Sequence, residues 1–154
     1  MISVWRIDKK GHSASSFSGE GAFLCGGRWN PRGVRVVYAA ASLALAALEK
    51  FVHLQDAAGG MGFLSFRVDV PEGVKVSLLD PARLPRYWRG VPASASTQAI
   101  GGDWARRNGS AVLRVPSVLI PGEYDYLLNP LHPQFKALRI SAPEKFYFDH
   151  RMWK

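Results

Sequence analysis

The chain is expected to fold as one α+β domain with mixed or antiparallel sheets and few helices. Three observations lead there. Segments that read as strands outnumber those that read as helices. The two kinds do not alternate strictly, as a doubly wound parallel sheet would require. A length of 154 residues, 47% of them hydrophobic, suits a single compact domain with a real core.

The elements follow in order. Ile2 to Ile7 alternates apolar and polar residues and predicts a strand. Gly11 to Gly21, rich in Ser and Gly, predicts a loop. Arg35 to Ala39 reads as a short buried strand. Ser42 is a plausible N-cap for a helix carrying Leu45, Leu48 and Val52 at helical spacing, which Ala57-Ala58-Gly59-Gly60 is expected to end. Phe63 to Val70 and Val74 to Leu79 read as strands, and Pro81 to Pro92 as a proline-rich, basic surface connection. Thr97 is expected to cap a short helix running to Arg107, with Gly101-Gly102 weakening its middle. Ala111 to Ile120 reads as a buried strand that Pro116 makes an edge or bulged one. Tyr126 to Pro130 ends in a turn. Ala137–Ile140 and Lys145–Asp149 are expected to form a terminal hairpin.

Composition narrows the function classes. No apolar run is long and clean enough to span a bilayer, and the first residues lack a signal-peptide pattern, so a cytoplasmic protein is expected. A single cysteine, Cys25, excludes an internal disulfide and a cysteine-based zinc cluster. The four histidines lack metal-ligand spacing, and no metal is expected. The net charge of +8 suits a phosphate-bearing ligand, nucleic acid or an acidic protein, and equally simple solubility. Dinucleotide and Walker-type glycine fingerprints are absent.

Four residues stand out chemically. Arg28 follows two glycines and precedes Trp29-Asn30-Pro31; on such a turn a guanidinium can clamp a phosphate through two parallel hydrogen bonds, or simply be a surface arginine. Tyr38 ends a strand, either as a core residue with a wet hydroxyl or as a platform for a flat ring. Glu49 lies on a helix with little polar face, so it reaches solvent, pairs with a cation or lines a cleft; His53 shares its face one turn on. Ser117 sits in an apolar strand with no histidine spaced to activate it. Asn129-Pro130-Leu131-His132-Pro133 reads on its residues as a rigid turn.

Taken together, Gly27-Arg28-Trp29-Asn30, Val37-Tyr38, Ala44 to Glu49, Val115-Pro116-Ser117 and Asn129-Pro130-Leu131-His132-Pro133 resemble the RES-domain family, named for an arginine, a glutamate and a serine. Those letters fall on Arg28, Glu49 and Ser117. The resemblance runs from about Trp5 to Phe148, so residues 1–154 are read as one RES domain. It implies a fold like that of diphtheria-toxin-type ADP-ribosyltransferases. It also implies a toxin of a type II toxin–antitoxin module, partnered by an Xre-type helix-turn-helix antitoxin, that consumes NAD as substrate by hydrolysis, phosphorolysis or ADP-ribosyl transfer to a protein.

In that reading Arg28 holds the diphosphate or the adjacent ribose and Tyr38 stacks on the nicotinamide end. Glu49 hydrogen-bonds a ribose hydroxyl and stabilises positive charge, and Ser117 lines the pocket or orients Glu49. Asn129 and His132 join the NAD-contacting set. Phosphorolysis would need a second anion subsite, for which Arg32, Arg35 and Lys50 are candidates. The family often has asparagine where this chain has Asp125, a change expected to remove amide donors and add negative charge. The alternatives are a basic, nucleic-acid-directed toxin such as a small ribonuclease, for which Trp88 beside Arg86 and Arg89 would form a stacking surface, and a non-catalytic basic module.

Overall fold

The computed structural model describes residues 1–54 and 62–153. One eight-stranded sheet organises them. Its strands are β1 (Ile2–Lys9), β2 (Val37–Ala40), β3 (Phe63–Val70), β4 (Val76–Leu78), β5 (Val112–Pro116), β6 (Tyr124–Leu128), β7 (Arg139–Ile140) and β8 (Glu144–Phe146). The order is β4-β5-β6-β2-β1-β3-β7, with β8 also on β3. Every pairing is antiparallel except β4 with β5. The helices are α1 (Glu20–Cys25), α2 (Leu43–Phe51) and α3 (Ala95–Arg106). This is the expected α+β architecture.

Alternation along the strands divides the apolar residues between two faces. Val4, Val37, Ala39, Val112, Tyr126 and Leu128 fill one side with Val68 and Val70. On the other, Leu113, Val115 and Leu127 pack with Trp29, Val34, Val36 and Trp104, and the neighbouring group of Ile7, Ala40 and Phe63 packs with Leu45 and Ala46 of α2. Helices α2 and α3 therefore cover two adjacent areas of the same face.

Several elements differ from the sequence expectation for identifiable reasons. The Gly11–Gly21 stretch is not all loop: a 3-10 turn spans Lys10–Ser15, and α1 begins at Glu20. Helix α2 is capped by Ser42, whose Oγ accepts from the Leu45 N–H at 3.0 Å, but it ends at Phe51; Ala57-Ala58-Gly59-Gly60 lies outside the described residues. The cap of α3 is Ser94, accepting from the Thr97 N–H, so Thr97 sits inside the first turn. Strand β5 is neither edge nor bulged. It pairs with β4 and β6, and Pro116 is its last residue, where the missing N–H costs little. The last two strands do not form a hairpin with each other: β7 pairs with Val68 and Asp69, and β8 with Phe63 to Ser65, both along β3.

Candidate functional site

Helix α2 delivers a carboxylate to the sheet. Leu45 and Ala46 face inward and are buried, and four residues on, the same stripe ends in Glu49 and Lys50. Two charged groups on a buried face each need a partner. Lys50 Nζ finds Asp8 Oδ1 at 4.0 Å, and burial pushes this ammonium below the ordinary lysine range. Glu49 Oε1 accepts a hydrogen bond from Ser117 Oγ at 2.7 Å.

Ser117 follows the end of β5 and starts the turn into β6. It is 1% exposed. Its N–H donates to the Glu123 carbonyl, and its Oγ accepts from the N–H groups of Leu119 and Ile120, both at 3.1 Å. Those contacts aim the hydroxyl proton at Glu49. Asp125, the second residue of β6, is paired with Val115 two positions before Ser117 and lies near enough to Glu49 for the two carboxyl groups to act on each other. Burial, together with Glu49 and then Glu123, holds the Asp125 carboxyl far above the ordinary carboxylate range.

Tyr38 comes from β2, registered against Leu127 of β6, and its side chain packs on the face that bears Trp29 and Leu113. Its hydroxyl donates to Asn30 Oδ1 at 2.6 Å and accepts from the Trp29 N–H at 3.1 Å. Burial raises the phenol well above its usual range; the Trp29 N–H and the nearby Arg28 charge oppose this, and Asp125 adds to it. Arg28 and Asp125 thus both act on Tyr38.

The Gly27–Asn30 turn is held from three sides. Fully buried Asn30 donates through Nδ2 to the carbonyls of Ala22, Pro31 and Val34. Gln98 of α3 donates to the Gly27 carbonyl at 2.9 Å. Gly101 of α3 lies against the Trp29 carbonyl so closely that a Cβ there would collide with it. A Cβ on Gly27 would stand 2.6 Å from the Tyr38 hydroxyl. The glycines expected to weaken α3 therefore let the arginine turn lie directly on the helix.

Arg28 Nη1 donates to the carbonyls of Trp88 and Gly90, at 2.7 and 2.8 Å. Between them Arg89 stacks over Trp88, 4.6 Å from the ring centroid, and donates to the Val118 carbonyl at 3.2 Å. The Pro81–Pro92 connection thus joins Arg28 to the Ser117 turn. A circuit results: hydrogen bonds run from Tyr38 to the Trp29-Asn30 turn, from Arg28 to the 88–90 loop, from Arg89 to the carbonyl of Val118 beside Ser117, and from Ser117 to Glu49, while Asp125 acts electrostatically on both Glu49 and Tyr38. It unites four residues that the sequence singled out and two that it treated differently. Asp125 appeared there as a departure from a pattern, and the 88–90 loop as part of a surface connection and of a stacking surface for nucleic acid.

Asn129 and His132 lie beyond the opposite end of β6. Asn129 is buried, donating to the Ala105 carbonyl and Asn108 Oδ1 and accepting from the Leu131 N–H. His132 Nδ1 accepts from the Gln134 N–H, capping a 3-10 turn. His53 is exposed past the end of α2. Arg35 donates to the Ser18 carbonyl and stacks over Phe23, so neither it nor Lys50 is directed at the circuit. A separate hollow of about 370 Å³ beside β4, lined by Lys75, Arg83, Trp104 and Arg107, contains none of the circuit residues. Among the described residues no group of three or more His, Cys, Asp or Glu is placed to hold a metal ion, and no helix is long and apolar enough to cross a membrane.

The RES domain family model matches residues 3–149. The chain belongs to the RES domain family. A Sphingobium sp. (strain YBL2) protein named Prs ADP-ribosylating toxin is 40% identical to this RES domain over 154 residues, covering 97% of this chain and 96% of that one. A Yersinia enterocolitica protein named Toxin Res is 40% identical over 150 residues, covering 97% and 98%. The fold also matches a chain in the crystal structure of the M. tuberculosis MbcT–MbcA toxin–antitoxin complex. The TM-score is 0.73 at 19% identity, over 95% of this chain and 84% of that one.

Proposed function

We propose that this RES domain is the toxin of a toxin–antitoxin module and that it consumes NAD by cleaving the nicotinamide–ribose bond. The observation that carries the reading is the 2.7 Å contact of Ser117 with Glu49, within a circuit that also holds Arg28 and Tyr38. A relative of nearly the same length, named as an ADP-ribosylating toxin, supports the same chemistry.

Each group has a role set by its surroundings. Arg28 is anchored through Nη1, which leaves the Nε and Nη2 edge to take two oxygens of the NAD diphosphate or the adjoining ribose. The Tyr38 ring, its hydroxyl tied down behind it, offers a flat surface to the nicotinamide end. Glu49 accepts from a ribose hydroxyl and opposes the positive charge that grows on the sugar as the glycosidic bond breaks. Nicotinamide leaves with the bonding electron pair. An oxygen of water, phosphate or a protein side chain then bonds to the sugar carbon and releases its proton to solvent. Ser117 orients Glu49 and is not a covalent nucleophile, because its hydroxyl is committed to that carboxylate. Asn129, bonded to Ala105 and Asn108 at the end of α3, and His132, capping its own 3-10 turn, support the frame at the far end of β6.

The reaction belongs in the cytoplasm, where an Xre-type helix-turn-helix antitoxin would restrain the toxin by covering the circuit. Mass analysis of NAD incubated with the protein, with and without phosphate, tests the reading. ADP-ribose, ADP-ribose 1″-phosphate or a mass-shifted protein is expected, each naming its acceptor. Intact NAD under all conditions would overturn it.

A further inference from the structure

We propose that Asp125 is a positioning residue of this site: its carboxyl keeps a proton at neutral pH and donates it to Glu49, so that Asp125 and Ser117 together orient Glu49. The consequence for catalysis rests on the NAD reading of the same site; the location of the proton does not.

The geometry leads there. Asp125 is registered against Ala40 on one neighbouring strand and Val115 on the other, so its side chain leaves the sheet between β2 and β5 on the side covered by α2. Its Oδ1 is buried and meets no hydrogen-bond donor among the described residues. Its other neighbour is Glu49, itself an acceptor for Ser117. Two ionised carboxylates cannot hydrogen-bond each other, and held close together in a half-buried site they repel. One proton between them removes the repulsion and makes one of the pair a donor.

The surroundings decide which of the two holds it. Glu49 Oε1 already accepts the Ser117 hydroxyl proton, so this oxygen is engaged as an acceptor. Asp125 has no such donor. The charged groups that bear on it are Glu49 from α2 and Glu123 from the turn before β6, both negative. Tyr38 from β2 holds its own proton more tightly than a free phenol. Arg114 of β5, the nearest cation along that strand, stacks over Tyr124, 4.0 Å from the ring centroid, on the opposite face. The proton therefore belongs on Asp125. An aspartate that seemed to remove a donor and add charge does the reverse: as a neutral acid it supplies the donor that an amide would.

Carbon-13 carboxyl NMR across a pH series tests this on the parent protein. The Asp125 signal is expected at its protonated position at pH 7, moving only on the alkaline side. In Glu49→Gln the transition is expected about one pH unit or more lower, since a neighbouring negative charge is gone. A signal already ionised at pH 7 in the parent would overturn the proposal, even if Asp125 variants fail to fold. The rate of NAD loss against pH adds a functional readout. The parent is expected to lose activity on the alkaline side, and Asp125→Asn, which keeps a donor with no proton to release, is expected to lack that fall. The same alkaline limb in both proteins would overturn the positioning role. If the parent consumes no NAD, the proposed function fails while the carboxyl titration still decides the proton.

Discussion

Ser117 donates its hydroxyl proton to Glu49 across 2.7 Å, joining the turn after β5 to a helix residue 68 positions earlier in the chain. The same oxygen accepts two backbone N–H groups of its own turn. One side chain thus fixes a local turn and a distant carboxylate together.

Ser117→Ala is expected to remove both effects. Leaving two half-buried N–H groups without their acceptor should cost about 1–2 kcal/mol of stability, read from the urea midpoint. With Glu49 no longer held, kcat for NAD loss should fall on the order of tenfold, with KM changing less. A variant with unchanged kcat would show that Glu49 needs no orientation from Ser117.

Tyr38→Phe separates the ring from its hydroxyl. The Trp29 N–H and Asn30 Oδ1 would both lose their shared partner. Stability should fall by about 1–2 kcal/mol, while the surface for the nicotinamide ring remains. Tyr38→Ala should in addition raise KM for NAD clearly above that of the Phe variant. Equal KM values in the two would argue against stacking.

Gly101→Ala tests the seat of the arginine turn. In an open helix this change stabilises by about 1 kcal/mol. Here the added methyl meets the Trp29 carbonyl, a backbone atom with little freedom to move. A net loss of about 1–3 kcal/mol is expected in chemical denaturation, with weakened NAD binding as the turn bearing Arg28 is displaced. A rise in Tm would mean that the turn is not pressed against α3.

Asp125 should leave a mark on stability as well as on rate. Its carboxyl is held above its unfolded value, so the folded state binds the proton more tightly. Below about pH 4 both states are protonated and nothing is lost. As pH rises from there, the unfolded chain releases its proton first, and folding loses up to about 1.4 kcal/mol per pH unit until the folded carboxyl ionises too. Asp125→Asn escapes this. Its stability relative to the parent should therefore increase between pH 5 and pH 8 in urea denaturation. A constant difference would contradict the buried, protonated acid.

The sequence and the structure agree where local pattern decides. The alternation of Ile2 to Ile7, the run Phe63 to Val70 and the Ser42 cap all read directly, because each is a property of neighbouring residues. They part where tertiary contact decides. Gly101 and Gly102 lower helix propensity, yet their purpose is the approach of Trp29 and Pro31, which no local pattern encodes. Pro116 is an edge signal within a strand but a harmless terminator at its end. Of the site, Arg28, Tyr38, Glu49 and Ser117 were visible as residue types. The circuit that joins them was not, since it runs through the Trp88 and Gly90 carbonyls and an aspartate that has no special surroundings until β6 lies beside β2. The string Glu123-Tyr124-Asp125 did offer one signal: a carboxyl group, Asp125, leading into the apolar run Tyr126-Leu127-Leu128, where it needs a partner if its face is covered.

The most direct measurement is nicotinamide release from NAD by the parent and by Glu49→Gln, matched for folded protein. Release by the parent, with a loss on the order of 10²–10³ in rate for the variant, is expected of a carboxylate that opposes developing charge on the ribose. Equal rates from the two proteins would contradict the role of Glu49 on which the whole site has been read.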